Sequence, residues 1–205
     1  MVEEAKRMRL SREFFYQDTL QVAQRLLGKR LVRRVDGQRL AGRLVEVEAY
    51  IGEEDKGCHA SAGHTARNDV MYGPPGHAYV YFTYGMHWML NVVTGAEGFP
   101  AAVLLRALEP LEGVATMTRN RRGRGGFQLC SGPAKLSQAL VITRALNGAD
   151  LCLRRDADLW LEDAPTVLDD QIATSPRIGL NNTPEPWRSK PWRFYIADSP
   201  FVSRR

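Results

Sequence analysis

Residues 29–50, KRLVRRVDGQRLAGRLVEVEAY, carry two strand-like runs on either side of Asp36-Gly37. Aspartate followed by glycine is the dipeptide a two-residue hairpin turn prefers, because both positions tolerate positive φ. The flanks, 29–35 and 38–50, are therefore predicted to pair as antiparallel strands. Along LVEVEAY at 44–50 a period of two sends Val45, Val47 and Ala49 to one face and Glu46, Glu48 and Tyr50 to the other. Two carboxylates thus share a face with an aromatic ring.

Upstream, Asp18 and Gln21 with apolar Leu20, Ala23, Leu26 and Leu27 before Gly28 predict a capped helix with a glycine stop. Downstream, 51–77 is rich in Gly, Asp, Asn and Pro without a clear period and reads as a long ordered loop, a feature that is usually functional inside a compact domain. Strands are predicted at 78–83 and 88–94 around Gly85, and at 101–108, where Leu104 and Arg106 share a face and the arginine needs a partner. Pro110 predicts the first turn of a short helix through Met117. Residues 119–126, RNRRGRGG, cannot bury apolar surface and read as a mobile basic loop, or simply a solvated linker. Ser131 before Gly132-Pro133 marks another helix start with Lys135 in its first turns, and Trp160 and 193–196 suggest later strands.

A chain of 205 residues suffices for one substantial core, whereas two domains would each be near minimal size. One domain over 1–205 is expected, with residues 1–9 a flexible N-terminus. The 44% hydrophobic and 25% charged content argues against global disorder. Lys and Arg exceed Asp and Glu by 28 to 23, a formal +5 that suits a polyanionic partner. MVEEAKRMRL at 1–10 has no signal-peptide core and no eighteen apolar residues run together, so no membrane segment or secretion is expected. The expected compartment is the cytoplasm with its nucleoid in a bacterium, or the nucleus in a eukaryote. Cys58, Cys130 and Cys152 are odd in number without a C-x-x-C pair and read as reduced thiols. The four histidines form neither H-E-x-x-H nor a zinc-deaminase pattern, so no metal is expected despite Cys58 beside His59.

Several long motifs occur in fixed order: VEVEAY at 45–50, GEEDKGCH at 52–59, ARNDVMYGPPGHAYVYFTYGMHWMLNV at 66–92, VLLRALEPLEG at 103–113, CSGPAKL at 130–136 and KPWRFYIADSPFVS at 190–203. Together they strongly resemble the alkyladenine (3-methyladenine) DNA glycosylase family over nearly the whole chain from about Leu10. The resemblance implies a single mixed α/β (α+β) domain with a curved, mainly antiparallel β core, flanking helices and a protruding β-hairpin. It implies a monofunctional enzyme without cofactor that removes alkylated or deaminated purines, of 3-methyladenine, 7-methylguanine, hypoxanthine or ethenoadenine type, from double-stranded DNA. Glu48 then resembles the water-activating carboxylate and Arg106 the group that orients it. Tyr50, His59 and Tyr81 resemble the walls of the base pocket, with Leu104 beside them, and Asn91 the gate that crowds the exocyclic amine of guanine. Tyr84 resembles the residue wedged into the DNA stack.

The chemistry suits these residue types. Extruding a nucleotide loses stacking worth a few kcal/mol, which an inserted tyrosine ring partly replaces. Breaking an N-glycosidic bond develops oxocarbenium character that a carboxylate stabilises while activating water. A helix start at Ser131-Gly132 with Lys135 suits a DNA phosphate. Each residue also has a duller reading: Tyr81 and Tyr84 as a packed aromatic pair, Glu48 as a salt-bridged strand carboxylate with Glu46 as its rival, Arg106 as a core-edge ion pair and His59 as a hydrogen-bonded loop histidine. A non-catalytic damaged-DNA-binding module and a lyase using Lys135 are the competing functional classes. Nothing demands a second subunit, and a monomer is expected.

Overall fold

The computed structural model describes residues 8–153 and 157–204. Helices α1 (Arg12–Phe15) and α2 (Thr19–Leu26) come first. The Asp18 carboxylate accepts from the Leu20 and Gln21 amides, satisfying donors that the first turn of a helix leaves without partners. Val22, Ala23 and Leu26 are fully buried, as an amphipathic stripe requires.

Strands β1 (Arg30–Val35) and β2 (Gln38–Ile51) pair through the Asp36-Gly37 turn, whose φ angles are 48° and 76°. Next come β3 (Ala78–Thr83), β4 (His87–Val93) and β5 (Ala101–Glu112). Helices α3 (Val114–Asn120) and α4 (Pro133–Ala139) precede β6 (Leu159–Glu162), β7 (Ile172–Ser175) and β8 (Arg193–Ile196). The strands form one open sheet in the order β3-β4-β5-β2-β1-β6, with β8 joined to β2 and β7 to β8. Every pairing is antiparallel, so the expected mixed α/β single-domain class is found. The fourteen residues of β2 are the spine, pairing β5 along one edge and β1, then β8, along the other.

Period-two alternation sorts this sheet. Val47 and Ala49 of β2, Ala78 and Val80 of β3, Leu90 and Val92 of β4, and Val103 and Leu105 of β5 enter one core with Leu26 and Leu136. The intervening residues, Glu48, Tyr50, Tyr79, Tyr81, Met89, Asn91, Leu104 and Arg106, take the other face.

Several expectations change. The helix predicted at Pro110 begins instead at Val114, because β5 runs on to Glu112. Pro110 sits where the β2–β5 register shifts between Ala41 and Gly42, and a missing amide is tolerated at such an irregularity. The stretch 119–126 does not form a loop throughout: Arg119 and Asn120 end α3. Arg121 is buried, donating to the Leu129 carbonyl and the Gln138 side chain, while 122–126 are exposed. Of the N-terminal stretch, residues 1–7 lie outside the described residues, and Arg9 bridges to Glu162 with its guanidinium over the Trp160 ring. Strand β7 is an addition to the predicted set, and two short 3-10 turns, His59–Ala62 and Asp69–Tyr72, punctuate the long loop.

Gly113 makes the switch from β5 to α3 at φ 74°, and a Cβ there would stand 2.9 Å from the Arg39 carbonyl and 2.3 Å from Leu40 Cδ2. Gly113→Ala is expected to cost more than about 1–2 kcal/mol, the left-handed penalty plus the clash. Urea unfolding measures it, and an unchanged midpoint would contradict this account of the turn.

Candidate active site

On the non-core face of β2–β5 lies a cavity of about 330 Å³. Tyr50, Tyr79, Tyr81 and His59 give it aromatic walls, and Met89, Asn91, Leu104 and Arg106 line it from the sheet. Cross-strand pairing sets these neighbours: Tyr79 faces Asn91, Asn91 faces Leu104, and Leu104 faces Glu48. Asn91 donates to the Tyr79 carbonyl at 3.0 Å, which fixes its amide in the wall.

His59 comes from the long loop and is held from two sides. Its Nδ1 meets the Tyr79 hydroxyl at 2.8 Å, and its ring stands edge-on to Tyr81, 4.4 Å between centroids. Asn68 ties the loop down by accepting from the Thr65 amide and donating to the His59 and Gly63 carbonyls. Burial and the nearby Arg67 push the His59 pKa down to about 4, so the ring is neutral at pH 7. Burial and the carboxylate of Glu48 raise Tyr81 to about 12 and Tyr50 well above its usual value.

Glu48 lies behind the cavity surface, fully buried. It reaches the cavity through two lining residues: its Oε2 accepts from the Tyr50 hydroxyl at 2.9 Å and from Arg106 Nη1 at 3.1 Å. Its Oε1 accepts from the Ile178 amide at 2.6 Å. Arg106 also donates to Glu46 at 2.9 Å, so one guanidinium spans both carboxylates of the β2 face. Burial alone would raise Glu46, but Arg106, the Ser203 amide and Arg193 outweigh it and hold that carboxyl below its usual range. Glu46 is therefore engaged by Arg193 at 2.8 Å and by Ser203 through both amide and hydroxyl. Sequence alone left Glu46 and Glu48 as rivals; only Glu48 touches the tyrosine of the cavity wall.

Tyr84 is 78% exposed at the cavity rim. Strand β3 ends at Thr83, so Tyr84 leaves the alternation and sits in the turn at φ 52°, a backbone region costly for a bulky residue and frequent at functional sites. Met86 beside it is 66% exposed. The residues suggested for a phosphate are differently disposed. Ser131 is buried, the Gly132 amide donates to the Cys130 carbonyl, and Lys135 Nζ rests on Gln128 and Ser131. Pro133 of α4 lines the cavity. Among the described residues no group of three or more His, Cys, Asp or Glu gathers as a metal site.

Tyr79 was within reach of the sequence, two positions before Tyr81 on the same face. Ile178, Gly179 and Leu180, which line the cavity from an irregular segment, carry no sequence signal, since Ile178 acts on Glu48 through its backbone.

His59 contributes stability present above pH 6.5 and lost as pH falls toward 4, because its folded pKa lies below the unfolded value. Thermal scans from pH 7 to 4 are expected to lose Tm more steeply for wild type than for His59→Gln; parallel curves would deny His59 its neutral, buried role.

A family model described as methylpurine-DNA glycosylase (MPG) matches residues 13–200. A protein of Methanocella arvoryzae named "Putative 3-methyladenine DNA glycosylase" is 53% identical over 197 residues, 96% of each chain. Proteins of the same name from Chlorobaculum parvum and Carboxydothermus hydrogenoformans are 50% and 46% identical, covering 95% and 97% of this chain and 90% and 100% of theirs. With a match that runs almost end to end, and with the carboxylate, arginine and aromatic cavity assembled on one sheet face, the chain belongs to the methylpurine-DNA glycosylase family.

Proposed function

We propose that this protein is a monofunctional DNA glycosylase of base excision repair. It everts an alkylated or deaminated purine from duplex DNA into the aromatic cavity and hydrolyses the N-glycosidic bond, leaving an abasic site. The observation that carries the reading is the contact of Glu48 with Tyr50 and Arg106, both of which line the cavity.

In this reading Tyr84 leaves its exposed turn to fill the gap in the duplex, offsetting the lost stacking. Tyr50, His59 and Tyr81 stack on or flank the extruded base, and Leu104 packs beside it. Asn91, pinned to the Tyr79 carbonyl, crowds the exocyclic amine of an undamaged guanine. Glu48 accepts three hydrogen bonds, and a carboxylate offers about four lone-pair directions. The one that remains takes the attacking water, with Arg106 orienting it. As the bond breaks, the carboxylate stabilises the developing oxocarbenium charge. A 3-methylated adenine leaves as an already cationic base, whereas hypoxanthine needs a proton.

Lys135 is the group proposed for a DNA phosphate, with Ser131 Oγ and Gln128 holding its ammonium, while the Gly132 amide is taken by the Cys130 carbonyl. Burial lowers the Lys135 pKa, and the nearby Arg121 and Arg124 add to that lowering. The reading calls for no cofactor and no second subunit; among the described residues no helix is long and apolar enough to cross a membrane. Full burial of Glu48 is the one observation that favours a non-catalytic damaged-DNA-binding module.

The two readings separate on an oligonucleotide carrying a single hypoxanthine or methylated adenine, followed by alkaline cleavage of abasic sites. Wild type is expected to release free base. Glu48→Gln is expected to lose roughly 10²–10⁴ in single-turnover rate, the usual worth of a general base, while still binding the damaged duplex; retained turnover would refute the assignment. Affinity is expected to fall steeply from 50 to 200 mM salt, by about tenfold or more for a few phosphate contacts, and a flat response would remove Lys135 and its arginine neighbours from the interface.

A further inference from the structure

We infer that Arg177 and Asp55 are a positioning pair that aims two of the donors on Glu48; the inference rests on Glu48 being the proposed catalytic carboxylate. Both side chains are wholly buried. The fork is bidentate, with Arg177 Nη1 to Asp55 Oδ2 at 2.5 Å and Nη2 to Oδ1 at 2.7 Å. Three cavity walls meet on it. Arg177 Nη1 donates to the carbonyl of Ala49, between Glu48 and Tyr50, at 3.0 Å. Asp55 accepts from the amides of Ile51 at 3.2 Å and Gly57 at 2.9 Å. The residue after Arg177 is Ile178, whose amide donates to Glu48.

The guanidinium also lies against the Tyr50 ring, 4.6 Å from its centroid, with Trp192 at 5.1 Å. Tyr50 supplies the hydroxyl on Glu48. Arg177 therefore holds both the ring that carries one donor and the backbone that carries the other. At Gly57 a Cβ would stand 2.9 Å from Arg177 Nη2, so the loop approaches the fork as closely as the chain allows.

Stability alone does not account for this arrangement. A buried ion pair repays its desolvation poorly, and apolar residues of similar volume often serve a fold as well. Arg177 Nε, moreover, has no hydrogen-bond partner among the described residues. What apolar residues cannot supply is direction. A rigid fork fixes the angle of the following amide, and small displacements of a catalytic group are costly in rate.

The test uses Arg177→Met/Asp55→Leu, which removes the pair without stranding a charge, beside Arg177→Lys and Glu48→Gln in the full chain. Circular dichroism and Tm report folding, titration of a hypoxanthine duplex reports affinity, and single-turnover base release reports the rate. The double variant is expected to fold, to bind damaged duplex within about threefold of wild type, and to excise at least about tenfold more slowly. Arg177→Lys, keeping the charge but not the fork, is expected to fall between. A double variant that fails to fold, that excises at the wild-type rate, or whose loss lies in binding overturns the inference. Normal excision by Glu48→Gln would instead sink the reading beneath it, whatever Arg177 does.

Discussion

Arg106 stands between Glu46 and Glu48, donating to both, with all three side chains withdrawn from water. Ions taken out of water cost several kcal/mol each unless closely paired, so the chain around this cluster has little freedom. Arg193 balances the second negative charge, Ser203 gives Glu46 two more donors, and Tyr50 and Ile178 complete Glu48. Residues from position 46 to position 203 are thereby fixed relative to one another. The cavity is their common boundary.

The sheet makes that cluster possible by sending alternate residues to opposite sides. One side of β2–β5 is closed by a helix-covered apolar core; the other keeps carboxylates, tyrosines and an asparagine in cross-strand reach. Half of this was legible in the sequence. The alternation at 46–50 and Leu104 with Arg106 on one face follow from a period of two, and the Asp36-Gly37 turn from the positive φ that both residues tolerate. At Val45 a register shift against β5 interrupts the period, so Leu44 rather than Val45 joins Val47 and Ala49 in the core. What was not legible is non-local or carried by the backbone. Pro110 resembles a helix start until β2 supplies the irregular register that accepts it. The basic run at 119–126 looks unable to pack until Leu129 and Gln138 receive Arg121. Asp55 and Arg177 are 122 positions apart, and neither flank forecasts the other.

The rim differs in kind from the floor. The sheet residues Met89, Asn91, Leu104 and Arg106 are buried, and hydrogen bonds hold Asn91 and Arg106 in place. Tyr84 and Met86 project from a turn whose tyrosine occupies a costly backbone region. Energy is thus stored in the hairpin tip, where the proposed reaction needs a side chain ready to leave solvent. In the proposed function, the basic surface around Lys135 and Arg124 would supply an attraction for phosphates that needs no fixed geometry.

Ser203 closes the cluster through Glu46, and Arg193 does so from β8, the last strand among the described residues. During synthesis, a chain still short of these residues has β1 to β5 in hand but leaves one cation facing two acids. The charge cluster behind the cavity is therefore completed only by residues made after β1 to β5.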